Sequence, residues 1–123
     1  MDVEDKAEKL IIQLTRETYE NKVKWHARDA PINLEFGTEH IFPLYLEATY
    51  KKTIVGLFQR KYKCFHDEHD YSWSEEIGFC VLDNEERILW EYNDRSAALV
   101  NLFEAAREQA SGINDILDGL LSE

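Results

Sequence analysis

Cysteine is scarce in this chain, and long apolar runs are absent from it. The 123 residues include two cysteines, Cys64 and Cys80, too few for a disulfide scaffold or a structural zinc site. No stretch approaches the roughly 18 consecutive apolar residues that a membrane-spanning helix needs. The opening MDVEDKAEKL is acidic and amphipathic, unlike the basic and then apolar start of a signal peptide. We therefore expect a cytoplasmic location, where both cysteines are reduced thiols.

Positive charge is in deficit as well. Twenty-five acidic residues against 14 Lys and Arg give a formal net charge of −11 and a pI near 4.8. Such a chain repels phosphate groups, so we expect neither a nucleic-acid partner nor binding to an anionic membrane. The hydrophobic content of 44% is nevertheless typical of globular proteins, and the length suits a single domain that buries its own core.

Sequence signatures of catalysis are also missing. The chain has no Gly-x-Ser-x-Gly motif, no phosphate-binding loop and no dinucleotide fingerprint. His66 and His69, together with Asp67, Glu68 and Asp70, form a metal-like group, but a four-ligand set at useful spacing is lacking. We therefore interpret this run as the polar residues of a turn. We predict no catalytic residue, no metal ligand and no cofactor.

Helical periodicity marks both ends of the chain. Apolar residues at spacings of three and four predict a helix over residues 3–20 and helical structure over residues 95–121. Gly112 interrupts the second stretch, where glycine costs about 1 kcal/mol relative to alanine in a helix interior. Either the helix bends there or a second, shorter helix begins, and we favour the break.

The middle of the chain has the pattern of strands. Four segments rich in aromatic and β-branched residues fill residues 42–92, namely FPLYLEATY, TIVGLFQRKYKCF, YSWSEEIGFCVL and RILWEY. Their short connectors indicate antiparallel neighbours. Residues 22–41 are predicted to be irregular, and residues 32–36 fit a short strand or a loop. The whole chain, residues 1–123, is thus predicted to be one α+β domain, a two-layer structure with a four-stranded antiparallel meander covered on one face by the N-terminal and C-terminal helices.

The connector lengths predict the strand register. Two-residue loops at 51–52 and 84–85 and a five-residue loop at 66–70 place one apolar set on a single face, which a slip of one residue would scatter. The predicted pairs include Leu46 with Leu57, Leu57 with Phe79, Phe79 with Trp90, Val81 with Ile88, Lys61 with Glu75 and Arg60 with Glu76. The basic run in the second strand is therefore balanced by acids across the pair.

The opposite sheet face is unusually apolar for a surface in water. Its predicted members are Tyr45, Ile54, Phe58, Tyr62, Cys80, Leu82 and Leu89. An exposed apolar patch of more than a few hundred Å² usually marks an interface. Three explanations stay open. The segment 22–41 folds over this face, a second copy or another protein docks on it, or it binds a ligand.

The far end of the middle hairpin carries another candidate surface. Phe65, Tyr71 and Trp73 cluster near its tip, and Lys63 faces Trp73 as a candidate cation–π pair. Aromatic side chains at a ribbon tip can anchor a partner. They can equally zip the hairpin together or pack on Trp25.

Composition and pattern do not identify a biochemical function. The favoured hypothesis is a small acidic interaction module without catalytic activity, which docks through the second sheet face or the ribbon tip and associates with itself. Clustered acids favour a basic protein partner, as would suit an inhibitor or an immunity protein. The alternative is a small-molecule binder or an enzyme with a pocket between helices and sheet, using Trp25, Trp90 and Tyr92.

Overall fold

A computed structural model describes residues 2–93 and 95–122 of the chain. Its helices are α1 (Val3–Tyr19), α2 (Ile32–Glu35), α3 (Ala97–Ser111) and α4 (Ile113–Leu121). Its strands are β1 (His26–Ala27), β2 (Ile41–Tyr50), β3 (Thr53–Phe65), β4 (Tyr71–Leu82) and β5 (Ile88–Tyr92). The strands form one antiparallel sheet in the order β1-β2-β3-β4-β5, with helices at both ends of the chain, which confirms the α+β class.

The sheet has five strands rather than the predicted four. The additional strand is β1, in which His26 lies opposite Glu47 and Ala27 opposite Leu46. A strand of two residues has too short an alternation to be recognised in a sequence, because period two needs several residues to show.

Local sequence explains both ends of α1. The Asp2 carboxylate accepts a hydrogen bond from the backbone N–H of Asp5 at 2.9 Å, which satisfies one of the free donors of the first turn. The apolar stripe of the helix buries Ile11 and Leu14 completely. After the helix, Asn21 takes a φ of 59°, a left-handed conformation that asparagine tolerates better than most residues.

The register of the three central strands agrees with the prediction. Leu46 lies opposite Leu57, and Leu57 lies opposite Phe79. Lys51 and Lys52 form the predicted two-residue turn, both with positive φ, although neither is a residue that favours this geometry. Here the apolar alternation on both strands specified the register without help from the turn residues.

The connection from β4 to β5 differs from the predicted two-residue turn. The backbone N–H of Asp83 donates to the carbonyl of Arg87 at 3.1 Å, so the loop between them is longer. The Asp83 carboxylate accepts backbone bonds from Glu85 and Arg87, at 2.9 Å each, and Glu86 takes a φ of 62°. Bonds from an aspartate side chain to the backbone that follows it are typical of an Asx-type turn. Here these bonds stabilise a loop longer than the predicted two-residue turn.

This longer loop makes the predicted pairing of β5 wrong by two residues. Phe79 lies opposite Tyr92, and Trp90 lies opposite Val81. A shift of two leaves all of these side chains on the helix side of the sheet. An irregularity between the β4 residues Val81 and Leu82 then places Ile88 opposite Leu82, on the other face from the predicted one.

The main core lies between the sheet and the helices α1 and α3. Its fully buried members are Ile11, Leu14, Leu57, Phe79, Leu102 and Ala106. Leu46 and Trp90 belong to the same cluster, so the apolar residues of all four predicted strands do meet on one side of the sheet.

A smaller core covers the opposite sheet face. Its buried members are Leu34, Tyr45, Phe58, Cys80 and Leu82. Leu34 comes from α2, so the segment 22–41 does fold over this face, as the first of the three explanations requires. The segment uses a helical turn at Ile32–Glu35 instead of a strand, starting after Pro31, whose φ of −57° suits a helix start.

Two glycines make room for the aromatic rings of this smaller core. A Cβ atom on Gly56 would lie 2.6 Å from the hydroxyl of Tyr45, and one on Gly78 would overlap the ring of Phe58. Both rings therefore pack directly over strand backbone, an approach that only glycine permits.

The C-terminal helical stretch is divided at Gly112. Ser96 caps α3 by accepting a bond from the N–H of Leu99 at 3.1 Å. Gly112, with a φ of 64°, ends α3 in the left-handed conformation and separates it from α4, which confirms the predicted break. None of the described helices combines the length and the apolar character needed to cross a bilayer.

Candidate protein-docking surface

The β3–β4 hairpin projects beyond the rest of the sheet. β2 follows β3 as far as the pair Ile41–Lys61, and β5 follows β4 as far as the pair Phe79–Tyr92. We call residues 61–75, which lie beyond the core, the hairpin arm. Apart from the pair Ile41–Lys61 at its base, the strands of the arm pair only with each other in the part of the chain that the structure describes.

Three aromatic side chains lie exposed on this arm. Phe65, Tyr71 and Trp73 are 59%, 44% and 46% exposed. The ring of Tyr71 lies 5.5 Å from that of Phe65 and 6.2 Å from that of Trp73, and Lys63 Nζ lies 4.7 Å from the Tyr71 ring and 5.7 Å from the Trp73 ring. The predicted contact of Lys63 with Trp73 is thus present. The rings zip the hairpin and still leave about half of their surface in water, while Trp25 is buried elsewhere.

Both lysines of the arm are paired with carboxylates, and one of the two pairs was predicted from the register. Lys61 Nζ lies 3.4 Å from Glu75, and Lys63 Nζ lies 3.2 Å from Glu39. These exposed pairs contribute little to stability. The arm still has a net negative charge, because Asp67, Glu68 and Asp70 at its tip are not matched by lysine or arginine within the arm.

At the base of the arm lies a half-buried ionic cluster on the smaller-core side. The guanidinium of Arg60, a residue only 8% exposed, binds Glu76 and also lies 3.2 Å from Glu91. Burial lowers the pKa of Arg60, but the bond to Glu76 and the charge of Glu91 outweigh it and leave the pKa above its usual value. The pairing with Glu76 agrees with the prediction, whereas Glu91 was missed because it depends on the register of β5.

The structure does not bring the nine predicted interface residues onto one surface. Tyr45, Phe58 and Leu82, predicted for an exposed second face, are at most 2% exposed because α2 and its flanking segment cover them. Ile54 and Tyr62 are half-buried. Leu89 is exposed near the irregular β4–β5 pairing, where strand alternation is broken. Only Phe65, Tyr71 and Trp73 form an exposed group.

The acidic run at the tip forms an ordinary polar turn. His66 Nε2 lies 3.0 Å from Ser72 Oγ, and the Asp67 carboxylate accepts the N–H of His69 at 2.8 Å. Among the described residues, no group of three or more His, Cys, Asp and Glu is placed to hold a metal ion.

The aromatic residues suggested for a ligand pocket belong to the main core. Trp25 donates its Nε1–H to Thr18 Oγ1 at 3.0 Å, and the rings of Trp90 and Tyr92 stack with centroids 5.6 Å apart. These contacts fill the layer between helices and sheet.

A groove beside the base of the arm was not foreseen. It lies between β4 and the start of α3 and has a volume of about 420 Å³. Its apolar lining comes from Ile77, Ala97, Leu99 and Val100. A signal for it existed in the sequence, because a twelve-residue strand followed by a much shorter one leaves part of the longer strand uncovered.

That uncovered part is the outer edge of β4. The N–H of His66 donates to the carbonyl of Asp70 at 2.8 Å, so these two residues form a hydrogen-bonded pair. This pair identifies which of the opposite residues along the hairpin are hydrogen-bonded to each other. Because bonded and non-bonded pairs alternate in antiparallel strands, the outward N–H and C=O groups belong to alternate residues. These residues are Tyr71, Trp73, Glu75 and Ile77, and no strand of the described chain pairs with them on that side.

The other edges of the sheet carry features that oppose pairing, including Lys63 on the part of β3 that extends beyond β2. β1 has two residues, and the part of β2 beyond it contains Pro43 and a register shift. β5 has five residues and an irregular pairing. Short strands, prolines and bulges are common means of preventing edge-to-edge association. The open stretch of β4 has no proline, no lysine and no bulge.

Comparison of the chain with protein-family models, with curated proteins and with solved structures finds no match. A fold class by itself does not imply a function, so a function is argued from the surfaces of this molecule.

Proposed function

We propose that this protein is a small acidic interaction module without a catalytic role, and that the hairpin arm is the element that docks onto a protein partner. The supporting observation is the joint exposure of Phe65, Tyr71 and Trp73, in a structure whose two sheet faces are otherwise covered. Aromatic residues that lie on a rigid element and are half in water are the usual anchors of protein interfaces.

Charge favours a basic partner in the encounter step. The net charge is −11, and the turn at the end of the arm adds Asp67, Glu68 and Asp70 beside the exposed rings. Complementary charge raises association rates and suppresses wrong partners. An inhibitor or an immunity protein that neutralises a basic protein would have this combination of acidic surface and aromatic anchors.

A capture experiment with matched surface variants tests the proposal. The native chain is immobilised and exposed to extract from the cells that produce it, beside the double variant Tyr71→Ser, Trp73→Ser. The control is Phe36→Ser, Leu89→Ser, which removes two apolar side chains that are 81% and 63% exposed and do not belong to the arm. Far-ultraviolet circular dichroism verifies that all three are folded.

We expect the arm variant to retain its captured protein at least ~10-fold more weakly than the native chain, since hot-spot aromatics contribute about 2 kcal/mol or more. The control should bind as the native chain does. Equal retention by the arm variant and the native chain would refute docking through the arm.

A further inference from the structure

We propose that the open edge of β4 pairs antiparallel with the same edge of a second copy of the chain, so that the two sheets become one. This inference rests on the proposed function, because it takes the arm as a docking element, but it names a second copy as the occupant in place of the basic protein that charge favours. Unpaired N–H and C=O groups in a row are satisfied by another extended backbone, and a second copy fits because this edge can pair with itself about a two-fold axis.

The alternation of hydrogen-bonded and non-bonded pairs in the hairpin limits the registers in which two copies of β4 can pair. The outward groups belong to Tyr71, Trp73, Glu75 and Ile77, so a two-fold axis through Ser74 pairs Tyr71 with Ile77 of the second copy and Trp73 with Glu75. All four outward residues of each copy are then bonded. An axis through Glu75 would oppose two carboxylates, which is destabilising. An axis through Trp73 would leave Ile77 beyond the end of the paired strands.

This register also fills the groove. Tyr71, Trp73 and Ile77 are each an even number of residues from Phe79, a member of the main core. Because side chains alternate between the two faces of a strand, all three lie on the helix side of β4. Pairing through Ser74 therefore brings Tyr71 of one copy beside Ile77 of the other, at the groove lined by Ala97 and Val100. Two of the exposed aromatics, Tyr71 and Trp73, thus share one contact with the apolar groove and the open edge.

The same axis leaves the other face free of conflict. Ser74 lies opposite Ser74, and Ser72 lies opposite Glu76, whose carboxylate already binds Arg60. Two like charges do not face each other in any of these pairs. A contact in which each copy offers the same patch is a closed two-fold dimer, and it does not propagate into a filament.

Cysteine cross-linking tests the register directly. In a background with Cys64→Ser, which removes the exposed thiol, Ser74→Cys places two cysteines opposite each other across the axis. They form a non-bonded pair with Cα atoms about 4.5 Å apart, within the range of a disulfide. The matched control is Ser72→Cys, on the same strand and face, whose two copies lie more than about 12 Å apart.

Sedimentation of the native chain tests association without any cross-link. The variant Glu75→Pro removes an outward N–H while leaving the bonds to β3 intact, and Glu75→Ala is its control because it loses the carboxylate and keeps the N–H. We expect the native chain and Glu75→Ala to dimerise in the micromolar range, and Glu75→Pro to dimerise at least ~10-fold more weakly, the loss expected for about 1.4 kcal/mol.

The outcomes separate the two proposals. Rapid oxidative dimerisation of Ser74→Cys but not of Ser72→Cys supports strand pairing about Ser74. A native chain that stays monomeric at high micromolar concentration, or equal cross-linking at both positions, overturns it. If a monomeric chain still captures another protein through the arm, the docking function stands and this inference alone is refuted.

Discussion

Gln109 holds three backbone segments in place through one side chain. Its Oε1 accepts the N–H of Trp25 at 2.8 Å, and its Nε2 donates to the carbonyls of Val23 at 2.7 Å and Thr18 at 3.3 Å. The end of α1 and the chain leading to β1 are thereby tied to α3. Helical spacing alone marks Gln109 as a polar position of α3, and the partners it needs are distant in sequence, so this role was invisible before the fold was known.

Replacement of this amide should destabilise the fold substantially. Gln109→Leu keeps a similar volume and removes the Gln109 bonds to the N–H of Trp25 and the carbonyl of Val23, while the Thr18 carbonyl keeps the N–H of Asn21 at 3.0 Å. We expect the free energy of unfolding to fall by about 2 kcal/mol, the typical cost of unsatisfied polar groups that are at least partly buried. Urea denaturation followed by tryptophan fluorescence measures it. The neighbouring exposed residue serves as control, since Glu108→Leu should change stability by less than about 0.5 kcal/mol. Equal effects of the two variants would contradict this role for Gln109.

Cys80 and Tyr45 make the smaller core sensitive to alkali. Burial raises the pKa of the Cys80 thiol from 9.0 to about 12, and burial together with the charges near it also raises the pKa of Tyr45. A raised pKa in the folded state means that the folded chain holds its proton more tightly than the unfolded chain. The corresponding stability is therefore fully present below pH 9 and is lost progressively as the pH rises toward 12.

We expect the free energy of unfolding to decline above pH 9, with a contribution from Cys80 approaching about 1.4 kcal/mol per pH unit. Chemical denaturation of Cys80→Ala at several pH values between 9 and 12 should show a shallower decline than that of the native chain. The comparison is between the slopes of the free energy of unfolding against pH. The packing energy lost with the thiol is the same at every pH, so it does not change the slope. Parallel slopes would mean that the thiol titrates normally in the folded state.

At the scale of elements, predictability follows the length of the repeating pattern. The helices α1 and α3 and the strands β2 to β4 have enough periodic residues to specify both type and facing. β1 is too short, and α2 looks like a strand because Ile32, Leu34 and Phe36 alternate. The smaller core buries the second face of the sheet. From the sequence alone its apolar residues are compatible with an exposed interface as well, because the sequence does not show that segment 22–41 covers them. At the site, the long alternating pattern of β3 and β4 predicted the arm, whereas the groove was missed although the unequal lengths of β4 and β5 were a signal for it.

The division between α3 and α4 offers a test of backbone conformation. Gly112 has a φ of 64°, whereas Gly119 lies within α4 with open space around it and no positive φ. Gly112→Ala should lower the free energy of unfolding by about 1 kcal/mol, because a Cβ atom is unfavourable in the left-handed region. Gly119→Ala should not destabilise the fold, since alanine is favoured in helices. Thermal unfolding by circular dichroism compares the two, and a loss for Gly119→Ala equal to that for Gly112→Ala would refute the left-handed break.

At the scale of the whole molecule, the net negative charge opposes the proposed association of two copies. Each copy has a net charge of −11, so two copies repel before their arms meet. Of the cations near the proposed contact, Lys61, Lys63 and Arg60 are already paired within their own chain, which leaves Arg95 in the groove lining to offset the repulsion. Backbone bonds and aromatic burial would have to supply the affinity, and neither depends strongly on salt.

Salt should therefore strengthen the dimer, whereas most ionic interfaces are weakened by it. The Debye length shrinks from about 30 Å at 0.01 M to about 8 Å at 0.15 M ionic strength, which screens the repulsion between the two acidic bodies. We expect the dimer dissociation constant, measured by sedimentation, to fall as sodium chloride rises over this range. Sodium sulfate at matched ionic strength separates screening from its general effect on apolar burial. A dissociation constant that rises with salt would show that ion pairs hold the two copies together, and the paired lysines of the arm would then have to exchange partners on association.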